Sequence, residues 1–237
     1  MKLLALIPHY RHTDTLPTVV AALRAHNLPV LIVDDGSGED CRIALEKLAG
    51  QEGVSVFYKQ SNGGKGSAVK AGIRLAHERG YSHILQIDAD AQHAFDDIPK
   101  LADMAFRRPE SMVCGRPVYG GDAPKSRLYG RKITDFWNAV NTLSSDIRDG
   151  MCGFRVYPVA HVLPLLDASG DRMDFDNEIL VRLHWRHVPF IWIDTPVRYE
   201  PQGVSHFLAF RDNWLISKMH ARLFFGMLRQ VFTGKRP

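Results

Sequence analysis

The sequence predicts an α/β fold in which helices flank a mostly parallel β-sheet. Three observations predict it. Short apolar runs rich in β-branched residues alternate with amphipathic segments of helical length, the pattern of βαβ units. The 237 residues, 45% hydrophobic and 24% charged, are enough for one sizeable hydrophobic core. Polar motifs follow the predicted strands, and ligands of parallel sheets bind beyond the carboxyl ends of the strands.

The predicted elements alternate regularly over the first half of the chain and less regularly after Arg108. Strands are predicted at 2–7, 29–33, 54–58, 83–87, 111–114, 153–157, 190–193 and 197–199. Helices are predicted at 16–26, 39–48, 68–79, 97–106, 126–143, 175–185 and 206–232.

Composition and charge exclude several classes of protein. The net charge of +4 arises in the C-terminal tail, because the chain after His206 contains six basic residues and a single acidic one, Asp212. A nucleic-acid-binding enzyme more often spreads its basic residues over a groove, so no nucleic acid partner is expected. The three cysteines show neither a CxxC pair nor a zinc pattern, which favours reduced thiols in a cytoplasmic protein. Without a signal peptide or an apolar run long enough to cross a bilayer, no membrane span is expected.

Two carboxylates, Asp88 and Asp90, follow a buried strand at positions i and i+2. Both can turn into one pocket and offer the hard oxygen ligands that suit Mg²⁺ or Mn²⁺, with the amide of Gln92 as a further ligand. The alternative is a turn built from aspartates, which are good turn formers.

Two other strand ends carry motifs with open interpretations. Asp34 and Asp35 either accept hydrogen bonds from a ligand or shape a turn before the next helix. The segment Asn62-Gly63-Gly64-Lys65-Gly66 opens a helix and suits either a phosphate or a glycine-rich turn. It lacks the spacing of a Walker A loop and of a dinucleotide fingerprint. Lys65 could still neutralise a nucleotide.

These motifs occur in chain order, together with Gly115-Arg116, Arg131 and the segment 149–155. In this combination the sequence resembles family 2 glycosyltransferases of the GT-A fold, especially the polyprenyl-phosphate glycosyltransferases, over roughly residues 3–200. The resemblance implies a single Rossmann-like nucleotide-sugar-binding domain over residues 1–204, followed by a basic amphipathic helix over 205–237.

The resemblance also implies roles for individual residues on the donor side. Asp35 would contact the nucleobase and Asp34 would support its loop, while Asp88, Asp90 and Gln92 would hold Mg²⁺ or Mn²⁺ on the donor diphosphate. The residues expected at the nucleotide are Pro8, Tyr10, Asp34, Asp35, Lys65, Asp88 and Ala89.

On the acceptor side, arginines of polyprenyl-phosphate enzymes grip the acceptor phosphate. Arg116 and Arg131 fall near those places, with Arg127 as a competing match, and Arg155 is either an acceptor-side residue or part of the core. A late histidine approaches the metal in some GT-A enzymes, so His206 is either a metal ligand or a structural residue.

Asp176 matches the position of the catalytic base in relatives that glycosylate hydroxyls, with Glu178 as the fallback. The alternative is that acidic residues stabilise the positive end of the helix that begins at Phe175. An acceptor phosphate is already ionised and needs no base, so the role of Asp176 depends on the acceptor.

The tail carries Arg211, Lys218, Arg222 and Arg229 on one narrow helical face beside aromatic residues. This pattern suits a helix lying on an anionic membrane surface, or a helix packed on the catalytic core with a solvated basic face.

The sequence therefore predicts a metal-dependent, inverting glycosyltransferase that moves a sugar from a UDP- or GDP-sugar to a lipid or lipid-linked acceptor. The enzyme would bind peripherally to the inner, cytoplasmic face of the membrane. One alternative is a non-catalytic, membrane-associated nucleotide-binding module. A sugar nucleotidyltransferase is disfavoured, because Pro8-His9-Tyr10-Arg11 stands where that class carries a glycine-rich loop.

Overall fold

The computed structural model describes residues 1–119, 125–197 and 208–234. The strands are β1 (Leu3–His9), β2 (Val30–Asp34), β3 (Val54–Tyr58), β4 (His83–Gln86), β5 (Met112–Tyr119), β6 (Arg155–Pro158) and β7 (Phe190–Val197). The helices are α1 (Leu16–Ala25), α2 (Glu39–Ala49), α3 (Lys65–Glu78), α4 (Ile98–Arg107), α5 (Lys125–Thr142), α6 (Val159–Val162), α7 (Phe175–His184) and α8 (Ala209–Phe232).

The strands form one seven-stranded sheet in the order β3-β2-β1-β4-β6-β5-β7. All neighbouring pairs are parallel except those of β6, which runs antiparallel to both β4 and β5. The register of β1 and β2 pairs His9 with Asp34, so the polar residues that end these strands lie at one edge of the sheet. The predicted α/β class with a mostly parallel sheet is confirmed.

Hydrophobic clusters cover both faces of the sheet, as the alternation of side chains along each strand requires. In β1, Leu4 and Leu6 face a cluster that includes residues of α3, α6, α7 and α8. Ala5 and Ile7 face the opposite cluster, to which α1, α2 and α4 contribute. α8 is therefore packed into the core along one of its faces.

Some boundaries differ from those predicted. α3 begins at Lys65, three residues before the predicted start, and β5 and β7 are longer because they pair with each other in parallel along their full lengths. Val197 ends β7 and does not begin a strand of its own, and residues 198 and 199 lie outside the described residues. The short helix α6 was not predicted.

All three cysteines are free thiols buried in the core. Burial raises the pKa of Cys114 and of Cys152 to about 12. Burial raises the pKa of Cys41 as well, and the charge of Asp34 adds to this effect.

Candidate active site

The site is built around an ammonium group that lies between two carboxylates. Nζ of Lys65 is 2.7 Å from Oδ1 of Asp88 and 2.8 Å from Oδ2 of Asp176. The side-chain amide of Gln86 donates to Oδ1 of Asp176 at 3.3 Å. Burial opposes the charge of Lys65, but the two carboxylates outweigh it and raise the pKa of Lys65 above its ordinary value. Residues predicted for the nucleotide, the metal and catalysis thus meet in one place.

Three elements deliver these side chains. Asp88 follows β4, Lys65 is the first residue of α3 and Asp176 lies in the first turn of α7. The chain before α7 also binds the start of α3, because the backbone N–H of Gly66 donates to the carbonyl of Arg172 and that of Ser67 to the carbonyl of Asp171. The starts of the two helices are therefore fixed relative to each other.

The glycine-rich segment before α3 is a structural turn. The N–H groups of Gly63 and Gly64 donate to the carboxylate of Asp35, at 3.1 and 2.7 Å. Gly64 has a φ of +105°, and a Cβ there would lie 2.6 Å from the carbonyl oxygen of Asp171, so only glycine fits. Because the chain itself uses these N–H groups, the structure favours the turn over a phosphate cradle.

The loop after α5 closes one side of the site. Oδ1 of Asp149 accepts hydrogen bonds from the N–H groups of Met151 and Cys152 at 2.8 and 2.7 Å. These bonds bring Gly153 so close that a Cβ there would lie 2.6 Å from Oδ1 of Asp88 and 2.7 Å from Nζ of Lys65. A side chain at this position would therefore displace the carboxylate of Asp88 or the ammonium of Lys65.

The two candidate metal ligands differ in their electrostatics. For Asp88, burial opposes ionisation, but Lys65 and the nearby His93 overcome it and lower the pKa of the carboxyl. For Asp90, burial and the charge of Asp88 raise the pKa, although the N–H of Gln92 donates to Oδ1 at 3.1 Å. A nearby positive charge would therefore stabilise the ionised form of Asp90 and lower the pKa of its carboxyl.

This donor set fits Mg²⁺ or Mn²⁺ bound together with a diphosphate. Oδ1 of Asp88 is buried and, despite its ion pair, accepts no well-aligned hydrogen bond from the described residues. No group of three His, Cys, Asp or Glu side chains suited to a metal occurs within the described part of the chain. Small divalent ions are often held by one or two carboxylates plus waters and substrate phosphates, so two aspartates suffice. His206 lies outside the described residues.

The expected nucleoside residues lie at the ends of β1 and β2. Asp34 is buried. Its Oδ1 lies 2.8 Å from Nδ1 of His9, and its carboxylate accepts a hydrogen bond from the backbone N–H of Ser37. These contacts agree with the expected role of Asp34 as a support of its loop. Those hydrogen bonds lower the pKa of Asp34 against the effect of burial. Asp35 is also buried and forms an ion pair with Lys59 besides accepting the two glycine N–H groups.

The other nucleotide candidates lie close by. Pro8 is buried beside Val33, and the ring of Tyr10 is half-buried under the guanidinium of Arg11 at 5.2 Å. The carbonyl of Ala89 accepts a hydrogen bond from the hydroxyl of Thr15 at 2.6 Å.

The predicted acceptor arginines are already paired. Arg116 donates two hydrogen bonds to Asp194, each 2.6 Å long, and Arg131 forms an ion pair with Asp149 and covers the ring of Tyr119. The side chain of Arg127 lies outside the described part of the structure.

For Arg155 and Glu178 the structure decides against the site role and for the structural alternative. Arg155 is fully buried in β6 and donates to the backbone carbonyl of Asp176, so it belongs to the core and supports α7 rather than contacting an acceptor. Glu178 is fully buried and bound by Arg182 and Arg222, each at 2.6 Å, and by the N–H of Gly170 at 2.9 Å. Its oxygens are occupied by these partners, which leaves Asp176 as the carboxylate of α7 at the site.

Sequence reasoning did not predict the contacts of Lys59, Gln86, His93 and Gly153, although Gly153 lies in the segment 149–155 that carries the resemblance. Gln86 had a signal, since it is a polar residue in an otherwise apolar strand. Nε2 of His93 lies 3.8 Å from Oδ2 of Asp88, and its ring packs on Phe154. The contacts of Lys59 and Gly153 join distant parts of the chain, whereas His93 belongs to the same polar strand end as Asp88.

The sequence is similar to those of known glycosyltransferases. The model of the family described as Glycosyl transferase family 2 matches residues 5–162. Polyprenol monophosphomannose synthase of Mycolicibacterium smegmatis is 30% identical over 215 residues, which cover 85% of this chain and 79% of that protein. Undecaprenyl-phosphate mannosyltransferase of Micrococcus luteus is 32% identical over 163 residues, or 66% of each chain.

Solved structures share the fold at much lower identity. Glucosyl-3-phosphoglycerate synthase from Mycobacterium tuberculosis, in complex with Mn²⁺ and uridine-diphosphate-glucose, superimposes with a TM-score of 0.69 at 13% identity. The match covers 95% of this chain and 78% of that one.

Proposed function

Since the chain belongs to glycosyl transferase family 2, we propose that it transfers a sugar from a UDP- or GDP-sugar to a polyprenyl phosphate in a metal-dependent, inverting reaction. That it is a glycosyltransferase follows from the family and from its relatives. The proposal depends chiefly on one observation, the pair Asp88 and Asp90 set beside the Lys65–Asp176 ion pair at the carboxyl end of β4.

In the proposed mechanism, Asp88 and Asp90 would hold the divalent ion, with Gln92 as a further ligand. When bound, the metal would supply positive charge that stabilises the leaving nucleoside diphosphate. Asp35, steadied by Lys59 and the glycine turn, accepts a hydrogen bond from the base, while Pro8 and Tyr10 line the nucleoside pocket. The acceptor oxygen attacks the anomeric carbon from the face opposite the diphosphate, which inverts its configuration.

The choice of a phosphate acceptor is supported by the names of the relatives, which refer to polyprenol or undecaprenyl phosphate. Arg116 and Arg131 would contact such a phosphate, which would take the place of Asp194 and Asp149 as their partners. A phosphate oxygen is already ionised, so Asp176 positions Lys65 in this mechanism and removes no proton.

A second candidate acceptor is a lipid-linked hydroxyl, which would require Asp176 as the general base. The observation in its favour is that Asp176 lies at the same ammonium group as the candidate metal ligand Asp88. Offering purified enzyme a polyprenyl phosphate and a lipid-linked sugar in parallel separates the two, and transfer only to the hydroxyl would contradict the phosphate proposal.

The donor proposal is tested by the thermal stability of the protein with UDP, GDP, dTDP and CDP, each with and without Mn²⁺. A ligand that binds only the native state raises the melting temperature. We expect UDP or GDP to do so only with Mn²⁺, and Asp90→Ala to abolish the shift. If none of the diphosphates at millimolar concentration stabilises the wild type, an inert, membrane-associated module becomes the better interpretation.

Peripheral membrane binding through α8 is the second part of the proposal. Ile216, Met219, Leu223 and Met227 face the core. A second apolar face lies on the opposite side of the helix and exposes aromatic rings, namely Phe210 (91%), Trp214 (66%), Phe225 (68%) and Phe232 (85%). Exposed basic residues flank it, as in helices that lie on anionic lipid. One face of α8 thus supports packing on the core, and the opposite face supports contact with a membrane surface.

Helix α5 extends this exposed apolar surface. Trp137 of α5 packs edge-on against Phe224 of α8, with ring centroids 6.4 Å apart, and Tyr129, Ile133 and Phe136 are exposed on the same helix. Within the described residues, no helix is long and apolar enough to cross a bilayer. Aromatic exposure of this extent on two neighbouring helices supports an interfacial position.

Co-sedimentation with vesicles of phosphatidylglycerol and phosphatidylcholine tests the membrane proposal. The double variant Trp214→Asp/Phe225→Asp should weaken binding by at least about tenfold, because two aromatic side chains no longer enter the lipid. Phe106→Asp is the matched control, since Phe106 is 68% exposed but lies on α4. Equal binding of all three proteins would contradict a role of α8.

A further inference from the structure

Lys65 is a cation shared by two carboxylates that have different tasks in the proposed function. Asp88 is a candidate metal ligand, whereas Asp176 belongs to the acceptor side of the reaction. Among the described residues, no other lysine or arginine forms an ion pair with either carboxylate. His93 is more distant from Asp88, at 3.8 Å, and Gln86 gives Asp176 only a neutral amide.

From this geometry we propose that Lys65 is the built-in counter-ion of the metal-free site and that a divalent ion must displace it from Asp88. The ammonium neutralises both carboxylates until the metal arrives, and it then remains on Asp176 alone. This inference rests on the proposed function, because it takes Asp88 as a metal ligand.

The surroundings of Lys65 restrict how such an exchange can occur. Its backbone cannot shift easily, since the N–H groups of the next two residues are bound to the carbonyls of Arg172 and Asp171. Gly153 closes one side of the ammonium, because even a Cβ at that position would lie only 2.7 Å from Nζ. The side chain retains slight exposure, 16%, so the exchange is a swing of the lysine side chain toward Asp176 rather than a movement of a loop.

The counter-ion role has two consequences of opposite sign. An incoming divalent ion meets a like charge next to Asp88, so Lys65 weakens metal binding. Without Lys65, Asp88 and Asp176 would lose the ion pair that they share, and Asp176 would keep only the nearby guanidinium of Arg155, so Lys65 stabilises the metal-free fold. A lysine that bound only the donor diphosphate and lay away from Asp88 would have no such effect on the affinity for metal alone.

The test measures Mn²⁺ binding in the absence of nucleotide. Binding is monitored by the decrease in the electron paramagnetic resonance signal of free Mn²⁺. We expect Lys65→Met to bind Mn²⁺ about tenfold more tightly than the wild type, because a nearby unit charge of the same sign is removed. Lys65→Arg keeps the charge and should stay near the wild-type affinity. Lys59→Met is the matched control, since Lys59 pairs with Asp35 at the same edge of the sheet and should leave the Mn²⁺ affinity unchanged.

Lys65→Gln keeps an amide that can donate to both carboxylates, and it replaces Lys65→Met in the comparison should the latter fail to fold. A folded, uncharged variant that binds Mn²⁺ no more tightly than the wild type would overturn the counter-ion role while leaving the metal site intact. Absence of Mn²⁺ binding in every protein, with and without UDP or GDP, would overturn the proposed metal-dependent function itself.

Discussion

At the scale of single residues, Asp88 and Asp90 show how two identical side chains acquire different electrostatics. A cation beside one carboxylate favours its ionised form, whereas burial next to a like charge disfavours it. Lys65 therefore lowers the pKa of Asp88 against the effect of burial, while burial and Asp88 raise the pKa of Asp90. The sequence shows the pair of aspartates but not the lysine between Asp88 and Asp176, because that contact joins residues far apart in the chain.

Asp90→Asn should stabilise the metal-free protein and abolish its stabilisation by Mn²⁺. The raised pKa of Asp90 means that its ionised form costs free energy in the folded state, so a neutral amide of the same shape relieves that cost. Stabilising changes commonly give about 1 kcal/mol, which thermal unfolding in a chelator at neutral pH can detect. The gain should shrink as the pH falls and Asp90 itself becomes protonated. A lower melting temperature for the variant would contradict the expectation.

At the scale of elements, the start of α3 illustrates where local patterns mislead. Glycines are poor helix formers, so the sequence placed the helix start after Gly66, at residue 68. The structure starts it at Lys65, because acceptors from the chain before α7 bind the N–H groups of the first turn. Core-facing periodicity predicted the body of the helix correctly, but its start depends on a tertiary contact.

Helix α5 carries a carboxyl whose titration can be measured. Burial and the charge of Asp149 raise the pKa of Asp135 to about 7 from its ordinary 3.8. Between these values the folded protein binds the extra proton, so the free energy of unfolding falls as the pH rises through this window.

Asp135→Asn should remove this fall. The variant should exceed the wild type in stability by about 1–2 kcal/mol at pH 8, and the difference should shrink towards zero as the pH approaches 4. Urea unfolding at several pH values measures it. The control is Asp103→Asn on α4, an exposed position. A difference between wild type and Asp135→Asn that does not change with pH would refute the argument.

At the scale of the whole molecule, the sequence predicted the class of fold and most of its elements, because each strand and helix carries its own periodicity. It did not predict the pairing of the antiparallel β6 between β4 and β5, which depends on contacts between distant segments. The ion pair that ties Arg222 of α8 to Glu178 of α7 is equally non-local. The division into a domain over 1–204 and a helix over 205–237 stays a prediction.

The packing of α8 predicts that this helix unfolds together with the catalytic core. Leu223 is 1% exposed within the cluster shared with α3 and α7, so Leu223→Ala should cost about 3 kcal/mol. Phe225→Ala, on the exposed face of the same helix, should change stability by less than about 0.5 kcal/mol. Denaturant unfolding should show a single transition in both variants. A separate early transition in Leu223→Ala would instead mark α8 as an independent unit.

The burial of all three thiols has a practical consequence for labelling. Protonated, inaccessible thiols react poorly with maleimides at neutral pH, since the thiolate is the nucleophile. A cysteine introduced at an exposed position of α8, such as Phe225→Cys, would therefore be the preferred site of modification without removal of the native cysteines. An environment-sensitive dye attached there would report by its emission colour whether that face of the helix lies in water or in lipid.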